Sequence, residues 1–120
     1  MGYRSDVGLC LSAKGKEVLG IALSEAQKTN ASFSSIQELL ERADVRVSTK
    51  DGSVAYQWED FKWYSDDDDV AFIEKLLHNL DYDDYFFIRV GESNDDTEVG
   101  GGFWDNPLGM CLVRGIAFDA

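Results

Sequence analysis

Val7, Leu9 and Leu11 alternate with Asp6, Gly8, Cys10 and Ser12, and this two-residue period predicts a half-buried strand over residues 5 to 11. Ser12 is placed to cap a helix that starts at Ala13. From Ala13 to about Lys28 the apolar Val18, Leu19, Ala22, Leu23 and Ala26 recur at helical spacing along one stripe, which predicts an amphipathic helix. A polar break runs from Thr29 to Ser34. Ser35 and Glu38 then stand three apart ahead of Leu39-Leu40, the spacing at which two side chains reciprocally satisfy the orphan amides of a helix start. A short second helix is expected from there to about Ala43.

Val45 and Val47 alternate with Arg46 and Ser48, and Asp51-Gly52 supplies a glycine for the positive φ of a tight turn, so a hairpin is expected here. Its return strand carries Val54, Tyr56 and Trp58 on one face, and Glu59 to Tyr64 either extends it or bends it through a bulge. Asp66, Asp67, Asp68 and Asp69 precede Val70, Ile73, Leu76, Leu77 and Leu80 at helical spacing. This places the four aspartates in the first turn of a third helix, where the helix dipole favours them. Asp81 to Asp84 read as an acidic turn and Tyr85 to Val90 as a central strand with much of both faces covered. Gly91 to Gly102 reads as a long loop or an interrupted edge hairpin, Asn106-Pro107 as a turn and Met110 to Phe118 as a terminal strand.

These elements predict an α+β fold, a largely antiparallel sheet of about five strands with two or three helices packed on one face. A length of 120 residues suits one domain over residues 1–120, and 44% hydrophobic residues with three tryptophans supply its core. No apolar run approaches the roughly 18 residues of a membrane span, so the expectation is a soluble protein of the cytoplasm. Cys10 and Cys111 form no CxxC pair and read as buried thiols.

Charge changes the picture more than composition does. Asp and Glu number 23 against 11 Lys and Arg, a formal net charge of −12. From Glu59 to Glu98 there are 14 carboxylates against Lys62, Lys75 and Arg89, or −11, and the remainder of the chain carries nine acids and eight bases, or −1. The charge is therefore concentrated in one third of the sequence. It repels nucleic acid and anionic membranes and attracts a protein whose basic groove normally holds nucleic acid. The candidate partner-binding residues are Asp66, Asp67, Asp68, Asp69, Asp81, Asp83, Asp84, Glu92, Asp95, Asp96 and Glu98. Trp104, beside Phe103 in a glycine-rich stretch, is the candidate apolar anchor, with a plug for the core as its other reading.

Other chemistry is poorly supported. The acidic runs offer hard oxygen ligands for calcium or magnesium, but none has the alternating acids, glycine and distant Glu of a calcium loop. His78, the only histidine, lies in the third helix and reads as a surface residue. The cysteines sit in apolar strands, where thiols are ordinarily inert. Gly100-Gly101-Gly102 lacks the Gly-Lys-Ser/Thr of a phosphate loop, and no cofactor is implied.

Met1-Gly2-Tyr3-Arg4-Ser5-Asp6-Val7, Trp58 to Trp63-Tyr64, and Phe87-Ile88-Arg89-Val90-Gly91-Glu92 with Asp95-Asp96-Thr97-Glu98 resemble a family of small, largely uncharacterised phage and prophage proteins. The resemblance covers most of the chain and implies a phage context rather than a mechanism. The chain departs from the pattern after Glu98, where Gly100 to Pro107 replaces a more acidic continuation. By analogy of class, small acidic phage proteins block host defence proteins. The expectation is thus a non-enzymatic inhibitor of a host nucleic-acid-binding protein, such as a CRISPR effector, that presents a DNA-mimicking surface. The alternative is a divalent-metal- or small-ligand-binding domain, with or without catalysis, built on the same carboxylates.

Overall fold

The computed structural model describes residues 2–29, 33–93, 95–103 and 110. The order is β1 (Ser5–Leu11), α1 (Ala13–Thr29), α2 (Phe33–Glu41), β2 (Val45–Ser48), β3 (Val54–Phe61), α3 (Asp68–Asn79), a 3-10 turn (Tyr82–Asp84), β4 (Tyr85–Val90) and β5 (Thr97–Gly100). The five strands form one sheet in the order β2-β3-β1-β4-β5, with every pairing antiparallel. This is the α+β fold that the periodicity predicts.

The pleat divides the sheet into two faces. Leu9 lies between Tyr56 and Phe87, and Leu11 between Val54 and Tyr85. These side chains share one face, where Leu19, Leu39, Val70, Ile73, Leu76 and Leu77 of the three helices complete the main core. Cys10, Phe86 and Ile88 point the other way and form a smaller cluster, against which Phe103 and Met110 pack. Both faces of β1 and β4 are therefore covered, and this is why β4 reads as an unbroken apolar run. The central position belongs to β1, however, with β4 beside it. A run covered on both faces marks an interior strand, and several strands can be interior.

Ser12 caps α1, its Oγ accepting from Gly15 N at 3.1 Å, as the sequence suggests. The predicted start of α2 is wrong. Helix α2 begins at Phe33, so Ser35 lies inside its first turn and cannot be its cap. The hydrophobic pattern that decides the matter begins with Phe33 and Ile36, half-buried and buried respectively. The four aspartates are also not all in one helical turn: Asp67 is the N-cap of α3, Asp68 and Asp69 open the helix, and Asp66 precedes it.

At the end of β3 the bulge is present. Ser5 pairs with Phe61 and Val7 with Trp58, so three steps on β3 face two on β1. Asp60 takes φ of 50° there, a left-handed conformation in which Asp is among the more tolerant residues. The amides freed by the bulge find carboxylates: Glu59 N donates to Asp44 Oδ2 at 2.7 Å and Asp60 N to Asp6 Oδ1 at 2.9 Å. Residues 91–102 resolve into the edge-hairpin alternative, with β5 as the outer strand. The expected terminal strand from Met110 to Phe118 lies outside the described residues except for Met110 itself, as do Trp104 and Cys111.

Candidate functional site

Helix α3 packs into the main core through Val70, Ile73, Leu76 and Leu77, all buried. Its neighbouring stripe carries Glu74 and His78, four residues apart and so on one side of the helix. That stripe faces a cleft of about 360 Å3 lined by Ser65, Glu74, Leu77, His78, Tyr85, Phe87, Glu98, Val99 and Gly100. The register explains the shape. Tyr85, Phe87, Arg89 and Glu98 share the helix-bearing face of the sheet, with Glu98 opposite Arg89 and Gly100 opposite Phe87. Because Gly100 has no side chain, the edge strand leaves open the space between the rings of β4 and helix α3.

Each acidic run touches or adjoins the rim of this cleft, although Asp81 to Asp84 lie at the start of β4 and Asp95-Asp96 at its far end. Ser65 immediately precedes Asp66 to Asp69, Tyr85 immediately follows Asp84, and Glu98 belongs to the third run. One concave feature is thus bordered by a residue of, or directly beside, each of the three runs. Asp66, Asp67, Asp81, Asp83 and Asp95 are exposed. The side chain of Asp69 turns back to accept from Val70 N at 2.8 Å. The Asp81 side chain makes an exposed ion pair with Lys14 at 3.5 Å, of a kind that contributes little to stability.

Four of the candidate acids instead hold the fold together. Arg89, whose side chain is 12% exposed, contacts Asp96 at 2.7 Å and Glu98 at 2.6 Å, and also donates to Ser5 Oγ at 3.0 Å. Tyr3 Oη donates to Asp96 Oδ2 at 2.5 Å, and Arg4 N to Glu92 Oε2 at 2.5 Å. The chain ahead of β1 is thereby tied to the β4–β5 hairpin. The Arg89 and Tyr3 hydrogen bonds hold the Asp96 carboxyl below the usual carboxylate range, and those with Asp96 and Glu98 keep Arg89 firmly protonated. Asp84 accepts from Ser12 Oγ at 2.9 Å and its carbonyl from Ser12 N at 3.0 Å, anchoring the acidic turn to the start of α1.

Sequence reasoning missed the cleft itself. It set His78 aside as a surface residue, which its exposure bears out, and assigned Tyr85 and Phe87 to a strand interior. The available signal was Glu74 and His78 interrupting the flank of an otherwise core-facing helix, opposite a strand ending in glycine. Cys10 is buried, and burial pushes its thiol pKa up to about 11, so it is no nucleophile at neutral pH. Among the described residues no group of three or more His, Cys, Asp or Glu is placed to hold a metal ion, and no helix is long and apolar enough to cross a membrane. Compared with protein-family models, with curated proteins and with solved structures, the chain has no significant match in any of the three.

Proposed function

We propose that this chain is a non-catalytic inhibitor that occupies the basic groove of a nucleic-acid-binding protein and presents carboxylates where phosphates would lie. The observation that supports this reading is the set of exposed carboxylates, Asp66, Asp67, Asp81, Asp83 and Asp95, carried by the segments that flank α3 and the β4–β5 hairpin. Net charge alone would draw a basic partner from a distance, and concentrating it on one region gives the encounter a preferred orientation. The phage resemblance points to a host defence protein, such as a CRISPR effector, as the class of target, acting in the host cytoplasm.

Asp66, Asp67, Asp68, Asp81, Asp83 and Asp95 are exposed for the contact. Asp84, Glu92, Asp96 and Glu98 contribute charge from fixed positions, since each already accepts a hydrogen bond within the fold.

The test is displacement of a fluorescent nucleic acid from a purified basic-groove protein, the target having first been captured from host lysate. Replacing Asp66, Asp67, Asp68 and Asp69 by Asn removes four charges with little change of shape. Replacing Glu17, Glu25, Glu38 and Glu41 by Gln removes four exposed charges from α1 and α2 as the matched control. The Asn variant should lose affinity, chiefly through slower association at low salt, while the control stays close to the parent. Equal behaviour of the two variants would reduce the effect to bulk charge and refute a localised surface.

A further inference from the structure

The cleft has features that a flat acidic surface lacks. Its volume, about 360 Å3, lies at the lower end of the range for small-ligand sites, roughly 300 to 1,000 Å3. Its walls are mixed: Tyr85 and Phe87 supply aromatic rings, Leu77 an apolar side chain, Glu74 and Glu98 carboxylates, and among the described residues no Lys or Arg lines it. Glu98 is bound to Arg89, but Arg89 serves Asp96 as well, so one cation is shared between two carboxylates and the group keeps a charge of −1. Glu74 is half-buried and has no cationic partner among the described residues, which adds a second negative charge. The cleft therefore sets two carboxylates, Glu74 and Glu98, beside aromatic rings. Partly desolvated carboxylates gain most from a cation that also hydrogen-bonds.

We infer that this cleft receives the guanidinium of an arginine side chain from the basic partner, with Glu74 as its principal carboxylate and Tyr85 and Phe87 as its walls. The inference rests on the groove-binding reading and deepens it by giving the interface a central anchor. Arginine suits the site better than lysine does, because its planar head both stacks on aromatic rings and bonds a carboxylate in a fork. Buried arginines inserted into pockets are also frequent energetic centres of interfaces.

His78 is the only histidine and lines the cleft, so its imidazole NMR signals report occupancy directly. The intact chain is titrated with methylguanidinium and, separately, with N-methylurea, which is close in shape but uncharged. The expected result is a saturable His78 shift with methylguanidinium and binding of N-methylurea at least about tenfold weaker, the factor that corresponds to about 1.4 kcal/mol. Glu74→Gln should abolish the response by removing charge. Gly100→Leu should abolish it by filling the space, since a Cβ at residue 100 meets only Tyr85 at an ordinary 3.6 Å. No saturable shift in the parent chain, or an equal response to N-methylurea, would overturn the proposal whether or not either variant folds. So would a response that survives both substitutions, which would mark diffuse ion binding. Nucleic-acid displacement by a chain that ignores methylguanidinium would remove the anchor and leave groove binding intact. Methylguanidinium binding without displacement would instead remove groove binding and leave a cation cleft.

Discussion

Substituting Trp58 by Phe tests how the helical layer is fastened to the sheet. Trp58 is fully buried, and its Nε1 donates to the carbonyl of Leu39 at 2.9 Å. That carbonyl lies in the last turn of α2, where helices leave acceptors without intrahelical partners. Ala43 N, which would reach it in a continued helix, turns to Leu40 O instead. The indole therefore acts as a C-terminal cap supplied by a strand. Phenylalanine removes the donor and leaves a buried acceptor unmet, at a cost of about 1–3 kcal/mol. It also leaves a cavity of roughly 40 Å3, adding about 1 kcal/mol at roughly 24 cal/mol per Å3. The two together predict a loss of about 2–4 kcal/mol. For a chain of this length that corresponds to a fall in Tm of about 8–16 °C. Urea unfolding followed by far-ultraviolet circular dichroism measures it, and an unchanged m-value would show that the denatured state is unaffected. A loss below about 1 kcal/mol would refute the capping role, because the Leu39 carbonyl would then have found another donor.

Gly101 takes φ of 83°, and a Cβ there would lie 2.1 Å from the Tyr85 carbonyl oxygen, so Gly101→Ala should cost at least about 2 kcal/mol in urea unfolding. Gly100→Ala should stay within about 1 kcal/mol, and equal losses in the two would contradict the geometry of the β4–β5 edge. Cys10 should resist a water-soluble thiol reagent in the native state and react fully in denaturant. Measured in a Cys111→Ser background, rapid native labelling would show that Cys10 is not buried. Asp96 has a depressed carboxyl pKa in the folded chain, so its stabilising effect is complete above the unfolded value of roughly 3.9 and is lost as pH falls through the folded one. Asp96→Asn should therefore flatten the decline in stability below about pH 4, and an acid transition identical to the parent's would refute the coupling.

The strands and helices were legible wherever one face of an element is buried, because burial imposes the period. Val7, Leu9 and Leu11 alternate because their face packs on helices, and Val70, Ile73, Leu76 and Leu77 repeat because one stripe of α3 packs on the sheet. The start of α2 was not legible, because Ser35 and Glu38 satisfy a capping pattern at positions the hydrophobic repeat does not respect. The acids were found as runs, but their arrangement depends on pairing between distant segments. Nothing local shows that Glu98 lies opposite Arg89, or that Ser65 and Gly100 border the same space. Nor does composition separate carboxylates that meet solvent, such as Asp66, from those that brace the fold, such as Asp96, since the distinction lies in the donors brought by Tyr3 and Arg89.

The place of β1 in the sheet has a kinetic side. Leu9 pairs with Tyr56 and Phe87, so contacts at the middle of the sheet close loops of 47 and 78 residues, the differences between those residue numbers. Such non-local closure slows folding relative to chains dominated by neighbouring contacts. During synthesis Ser5–Leu11 emerges before both of its partner strands, and the second is not complete until Val90 has been made. Until Phe61 has been made Val7, Leu9 and Leu11 have no partner strand, and from then until Val90 one edge of β1 stays unpaired and open to pairing with other chains. Helix α1, which comes directly after it and whose contacts are local, can form during the wait. Residues 1–90 already carry 17 acids against 10 bases, a net −7, which keeps unfinished chains apart while the hairpin that completes the sheet is still being made.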